Sequence, residues 1–145
     1  MNWTMVPFEE MSAEDLYDAM KLRFDVFVLE QQCLYQEFDG RDKTAVHLLL
    51  RDEEELIGTV RVLEEPERIF MGRIVLAPEY RSKGLGKEMM EYALHYIIEH
   101  LPKKDVELQA QSYAQGFYES LGFEATSPYY IEDGIEHVDM KWRRK

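Results

Sequence analysis

The segment Arg81-Ser82-Lys83-Gly84-Leu85-Gly86-Lys87 sets two glycines and three cations where an apolar stretch, residues 72–77, gives way to an amphipathic one. Residues of these types in this order can hold an anion. Glycine lets the main chain approach a ligand closely, and the first turn of a helix offers unpaired N–H groups at the positive end of its dipole. The whole chain has a formal net charge of −12, so these cations stand against a strongly acidic background. Phosphate is the expected ligand. Two familiar phosphate loops fail on spacing. The nucleotide P-loop requires Gly-x4-Gly-Lys-Ser/Thr, but Arg81 stands where the first glycine belongs and Glu88 where the hydroxyl belongs. The dinucleotide fingerprint requires a third small residue, and that position is Met89. What remains is Arg-x-x-Gly-x-Gly, entered from Leu76-Ala77-Pro78-Glu79-Tyr80.

A second cluster lies further along. Leu108-Gln109-Ala110-Gln111 reads as a strand, and Ser112-Tyr113-Ala114-Gln115 as a capping box with Ser112 at the N-cap and Gln115 reaching back. Ala114, Phe117, Tyr118 and Leu121 then recur at helical spacing; Gly122 is the expected terminator and Phe123 returns to the core. Arg-x-x-Gly-x-Gly followed, one helix and one strand later, by Phe117-Tyr118-x-x-Leu121-Gly122-Phe123 resembles the paired signatures of the GNAT superfamily of N-acetyltransferases, which use acetyl-coenzyme A. Other segments narrow the likeness. Val26-Phe27-Val28-x-Glu30-Gln31-x-Cys33-x-Tyr35, Asp39-Gly40-x-Asp42, His47, Gly72-Arg73, Ala110-Gln111 and Glu132-Asp133-Gly134-Ile135-x-His137 together resemble the ElaA-like branch. The likeness runs from Trp3 to Met140.

The resemblance implies an α/β (α+β) fold, a single GNAT domain over residues 1–145. Its mixed central sheet would have about seven strands, mostly antiparallel, flanked by helices on both faces. In that fold the strand ending at Ala77 and the strand ending at Gln111 splay apart, with the thioester end of acetyl-CoA between them. The main chain of Ile74, Val75 and Leu76 is then the segment that pairs with the pantetheine amides. Arg81, Ser82, Lys83, Gly84, Leu85, Gly86 and Lys87 form the pyrophosphate site, and Gln111 lies on the facing strand. Tyr118 matches the position of a tyrosine near the sulfur; a phenol, whose ordinary pKa is about 10, can donate a proton to a thiolate. A main-chain N–H near Leu76 would hold the oxyanion. For the general base, Glu30, Asp39, His47 and His137 all fall in the resembling segments, and a water chain is the further alternative. The implied activity is transfer of an acetyl group from acetyl-CoA to a primary amine of an unidentified small molecule or peptide, by direct attack. A GNAT-fold coenzyme A-binding protein without transferase activity is the alternative. A homodimer is admitted as an assembly.

Hydrophobic period supplies the elements that position these residues, in the order strand, helix, three strands, helix, strand, helix, two strands. Ser12 opens the first helix with Asp15 three residues on, and Leu16, Met20, Phe24 and Phe27 are read as its inward face. Residues 47–50, 56–63 and 68–76 read as strands of an antiparallel meander, separated by charged turns at 52–55 and 64–67. Leu85, Met89, Ala93, Tyr96 and Ile97 give the central helix its inward stripe, and Pro102 ends it. Residues 106–111 form the next strand. Asp133-Gly134, between Tyr129-Tyr130-Ile131 and Val138-x-Met140, is a hairpin turn because both central residues tolerate positive φ.

At 145 residues with 46% hydrophobic residues the chain is long enough for one core, and no shift in composition marks a linker. No apolar run reaches the length of a membrane span, and Met1-Asn2-Trp3-Thr4 lacks the basic start and apolar stretch of a secretion signal. The single cysteine, Cys33, reads as a small buried residue, and a cytoplasmic setting is expected. Net acidity disfavours nucleic acid, with basic residues gathered only in Lys141-Trp142-Arg143-Arg144-Lys145 outside the phosphate loop. No metal is expected, since His95 and His100 lie five apart on one helix and do not face together.

Overall fold

Leu48, Leu49 and Leu50 are consecutive and all buried, although successive side chains of a strand point to opposite faces. The sheet that contains them must therefore be covered on both sides. The computed structural model describes residues 1–143 and shows how; Arg144 and Lys145 of the basic tail lie outside the described residues. The chain runs β1 (Asn2–Pro7), α1 (Ala13–Phe24), β2 (Val46–Asp52), β3 (Glu55–Glu64), β4 (Arg68–Leu76), α2 (Leu85–His100), β5 (Asp105–Gln111), α3 (Gln115–Ser120), β6 (Phe123–Ala125), β7 (Tyr130–Glu132) and β8 (Ile135–Trp142). Strand order is β1-β2-β3-β4-β5-β8-β6, with β7 also paired to β8. The β4–β5 pair is parallel and the others are antiparallel. Leu49 packs with Ala19 of α1 on one face; Leu48 and Leu50 share the main core with Met89, Met90, Ala93 and Ile97 of α2 on the other. Gly58 of β3 permits that approach, because a Cβ there would stand 2.9 Å from the Met89 sulfur.

The mixed, mostly antiparallel sheet with helices on both faces is as expected, but it has eight strands. The additional one, β6, is three residues long, too short for a period-two pattern to show. The hairpin between β7 and β8 turns at Asp133 (φ 53°) and Gly134 (φ 76°), both left-handed as the Asp-Gly pair requires. The capping box at Ser112 does not form. Ser112–Ala114 make one 3-10 turn, Ala114 becomes the N-cap of α3, and the Gln115 amide bonds Glu119 instead.

On α1, Ser12 caps the helix by accepting from the Asp15 N–H at 2.9 Å. Its inward face differs from the expected one: Ala19, Arg23 and, beyond the helix, Val26 are buried, whereas Phe24 is 41% exposed. The cause is electrostatic. Arg23, 1% exposed, pairs with Glu37 and Asp42, while Arg61 binds Asp39 and Asp42 and Arg73 binds Glu37 and Asp39. Three arginines thus meet three carboxylates and fasten the loop after α1 to β3 and β4. Before that loop the chain widens into π-type turns, with Gln31 N–H on Val26 O and Cys33 N–H on Val28 O. Removing one member of a buried pair strands its partner's charge, so Arg23→Met should lower stability by about 3–5 kcal/mol in urea denaturation. A loss below ~1 kcal/mol would show that the network is not buried in solution.

Two features of β4 open the sheet. Pairing with β5 joins Arg68–Met71 to Asp105–Leu108 and stops there. On the other edge, Thr59 faces Val75 while Arg61 faces Gly72, so β4 carries one extra residue, and Arg73 takes a φ of 46°. A bulge of this kind bends its strand. Beyond Met71, β4 leaves β5, and β5 continues along β8 to the Gln111–His137 pair.

Candidate active site

The loop from β4 to α2 ends at Gly84, whose φ of 81° lets the chain turn into the helix. The first helical bond runs from Glu88 N–H to Gly84 O. Earlier N–H groups, those of Leu85, Gly86 and Lys87, have no main-chain acceptor among the described residues, and no side chain caps them. They form the positive end of a helix that is 16 residues long. An anion fits this chemistry.

A cleft of about 790 Å³ runs from this loop into the opening between β4 and β5. That volume lies within the range usual for small-molecule sites. Ile74, Val75 and Leu76 line it along β4; Arg81, Ser82, Gly84, Gly86 and Lys87 line it at the loop. Gln111 and Tyr118 line the far side. Two expected site residues stand apart. Lys83 is exposed with its ammonium 5.8 Å from the centre of the Tyr80 ring, and Leu85 packs its side chain against the core. Only the main chain of Leu85 belongs to the loop's donor array.

Arg81 is already engaged. Its Nε donates to Leu76 O at 2.9 Å, and its two terminal nitrogens donate to the two carboxylate oxygens of Glu30 at 2.7 and 3.0 Å. This fork joins the π-turn segment to the loop before α2 across the cleft, so an anion at that loop would compete with Glu30 for the guanidinium. A second bridge is made of amides: Gln31 and Gln111 exchange hydrogen bonds at 3.3 and 3.2 Å. Neither bridge was legible beforehand, because the partners lie 51 and 80 positions apart. Tyr35, Tyr113 and Phe117 also line the cleft and escaped the sequence reading as site residues; aromatic recurrence at 113, 117 and 118 was the available signal.

Tyr118 is buried. Its ring meets Phe117 edge-on at 5.1 Å and Phe123 at 6.0 Å, while its hydroxyl makes no hydrogen bond to another described residue. Burial pushes the phenol pKa up, with a smaller contribution from Tyr113, so the proton stays on oxygen at neutral pH. Phe117 reaches back to the phosphate loop, its ring 3.5 Å from where a Cβ on Gly86 would stand.

The four candidate bases separate. Glu30 and His137 line the cleft; Asp39 and His47 do not. Asp39 is held by Arg61 through both oxygens, and His47 is buried with Nε2 3.0 Å from Asp42 O. No cluster of metal-ligating side chains occurs among the described residues. Among the same residues, no helix is long and apolar enough to cross a membrane.

The cleft thus joins the unpaired N–H groups of a helix N-terminus to an opening between two strands, with a buried tyrosine on its wall. Residues 9–144 match the family model of the acetyltransferase (GNAT) domain. ElaA of Escherichia coli K12 is 36% identical over 97% of this chain and 95% of its own. Its crystal structure superposes with a TM-score of 0.95 at 35% identity, covering 99% of this chain and 100% of the other. The crystal structure of an acyl-CoA N-acyltransferase from Pseudomonas aeruginosa gives 0.93 at 32% identity and the same coverage. Arabidopsis thaliana Naa50, solved with a CoA-peptide bisubstrate analogue, shares the fold at 16% identity and a TM-score of 0.77. The chain belongs to the GNAT acetyltransferase family, in its ElaA-like branch. Acyl transfer is the class of activity that this family defines.

Proposed function

We propose that the protein is an acetyl-CoA-dependent N-acyltransferase that moves an acetyl group to a primary amine of a small molecule or peptide by direct attack, as one cytoplasmic domain. The observation that carries this reading is the continuity of the cleft: unpaired helix N–H groups at one end, the open edge of β4 along its length, and Tyr118 on its wall. The acyl-CoA N-acyltransferase structure above supports it at family level, and Naa50 with its CoA-bearing bisubstrate analogue supports it at the level of fold.

Each segment has a distinct task. The N–H groups of Leu85–Lys87, with Lys87 and Arg81, would hold the pyrophosphate; Ile74–Leu76 would pair with the pantetheine amides as a strand does. The bound donor supplies a thioester carbon as electrophile. A main-chain N–H near Leu76 would stabilise charge on the carbonyl oxygen. Tyr118 holds a proton for the leaving sulfur. Burial raises the phenol, but it disfavours a thiolate beside it too, so the transfer is not made uphill by burial alone.

Charge at the loop makes a graded prediction. Arg81→Ala should weaken acetyl-CoA binding by about 1.5–3 kcal/mol, as for loss of a charge-assisted hydrogen bond, whereas Lys83→Ala should have the smaller effect because Lys83 is exposed outside the cleft. Calorimetry with acetyl-CoA and with a pantetheine fragment checks it: equal losses for the two ligands would place Arg81 away from the pyrophosphate. The function itself is tested by coenzyme A thiol release over a panel of polyamines, amino acids, aminoglycosides and peptides. Acceptor-dependent release is expected; binding without release over the whole panel would favour a coenzyme A-binding protein.

A further inference from the structure

Attack on a thioester requires a neutral amine, whereas an alkylamine is an ammonium at neutral pH. We infer that His137 is the general base that removes this proton, an assignment that rests on the N-acyltransferase reading above.

The other three candidates are committed elsewhere. Asp39 accepts from Arg61 at 2.9 and 3.0 Å and from the Arg41 N–H at 3.0 Å. Burial works against its ionisation, yet these bonds and the arginine charges lower its pKa to about 2, leaving a poor proton acceptor outside the cleft. His47 is 2% exposed, and burial pushes its pKa down; it too stands outside the cleft. Glu30 lines the cleft, but its two oxygens face Arg81, the guanidinium that would hold the pyrophosphate, so it stands at the anion's end of the cleft.

His137 lines the cleft with one nitrogen committed and the other available. Nδ1 lies 2.7 Å from Ile135 O, and a carbonyl can only accept, so Nδ1 carries the hydrogen and Nε2 keeps its lone pair. Nε2 makes no hydrogen bond to another described residue. The ring stacks on Tyr130 of β7 with centroids 6.0 Å apart and an interplanar angle of 19°. Its strand partner is Gln111, the last residue of β5, so His137 sits where β5 has left β4. The titratable groups around it are Tyr130, whose hydroxyl is bound to Asp139, and Glu132 and Asp133 at the hairpin tip. Gln111 on β5 is uncharged; across the cleft are Cys33, Tyr35 and the Glu30–Arg81 pair. One proton passes from the acceptor's ammonium to Nε2, giving a neutral amine and an imidazolium that returns the proton to solvent.

The test pairs His137→Asn, which keeps a donor for Ile135 O, with His137→Gln, using the alkylamine that the release panel identifies and an aryl amine that is already neutral at the assay pH. For the alkylamine both variants should lose roughly 10²–10⁴-fold in kcat/KM. Activity with the aryl amine, which has no ammonium proton to lose before attack, should fall much less, and affinity for acetyl-CoA should hold. Equal losses with both amines in a folded variant would overturn the assignment alone. Wild-type protein that binds acetyl-CoA and transfers to no amine would overturn the N-acyltransferase reading and this assignment together.

Discussion

Tyr118→Phe should lower turnover roughly 10²–10⁴-fold while leaving acetyl-CoA affinity nearly unchanged. The structure makes this substitution unusually clean. The Tyr118 ring keeps its edge-on contacts with Phe117 and Phe123 whether or not it bears a hydroxyl. Because that hydroxyl has no partner among the described residues, its removal leaves no orphaned donor or acceptor inside the protein. Stability should therefore hold, and the loss should appear in kcat. Turnover measured by thiol release under conditions where chemistry limits the rate checks it; a near-normal kcat would make Tyr118 a packing residue and leave protonation of the sulfur to water.

Gly86→Leu should abolish detectable acetyl-CoA binding in a protein that melts at or above the wild-type temperature. Position 86 lies in the first turn of α2, where replacing glycine favours the helix. A Cβ there meets Phe117 at 3.5 and 3.7 Å, ordinary contact distances, so Gly86→Ala fits without displacement. The further carbons of leucine must lie against Phe117 or over the N–H groups of the loop, and in either place they obstruct the approach of pyrophosphate. Calorimetry on the two variants separates the effects: retained binding in Gly86→Ala with loss in Gly86→Leu is expected. Unchanged affinity in a folded Gly86→Leu protein would move the phosphate site elsewhere.

The parts of this molecule that were legible in the sequence are those written in neighbouring residues. The β-branched and bulky runs of β2, β3 and β4, the Ser12 cap, the Asp133-Gly134 turn and the loop from Arg81 to Lys87 all depend on local sequence. What escaped depends on partners distant along the chain. The apolar period points to Phe24 and not to Arg23, because an arginine is normally a surface residue, and only Glu37 and Asp42, brought in by the following loop, make its burial tolerable. The bulge at Arg73 has no signature in residue type, since a positive φ there is uncommon for a residue other than glycine. Pairing of Glu30 with Arg81 likewise could not be read from a carboxylate and a guanidinium in separate segments, yet it distinguishes Glu30 from His137 within the cleft.

The most direct measurement is to incubate the protein with acetyl-CoA bearing an isotopically labelled acetyl group and the amine found by thiol release, then weigh both the amine and the protein by mass spectrometry. Direct attack predicts the label on the amine nitrogen as an N-acetyl group, with none on the protein when the amine is omitted. Label retained on the protein, or coenzyme A released without label on the amine, would contradict it.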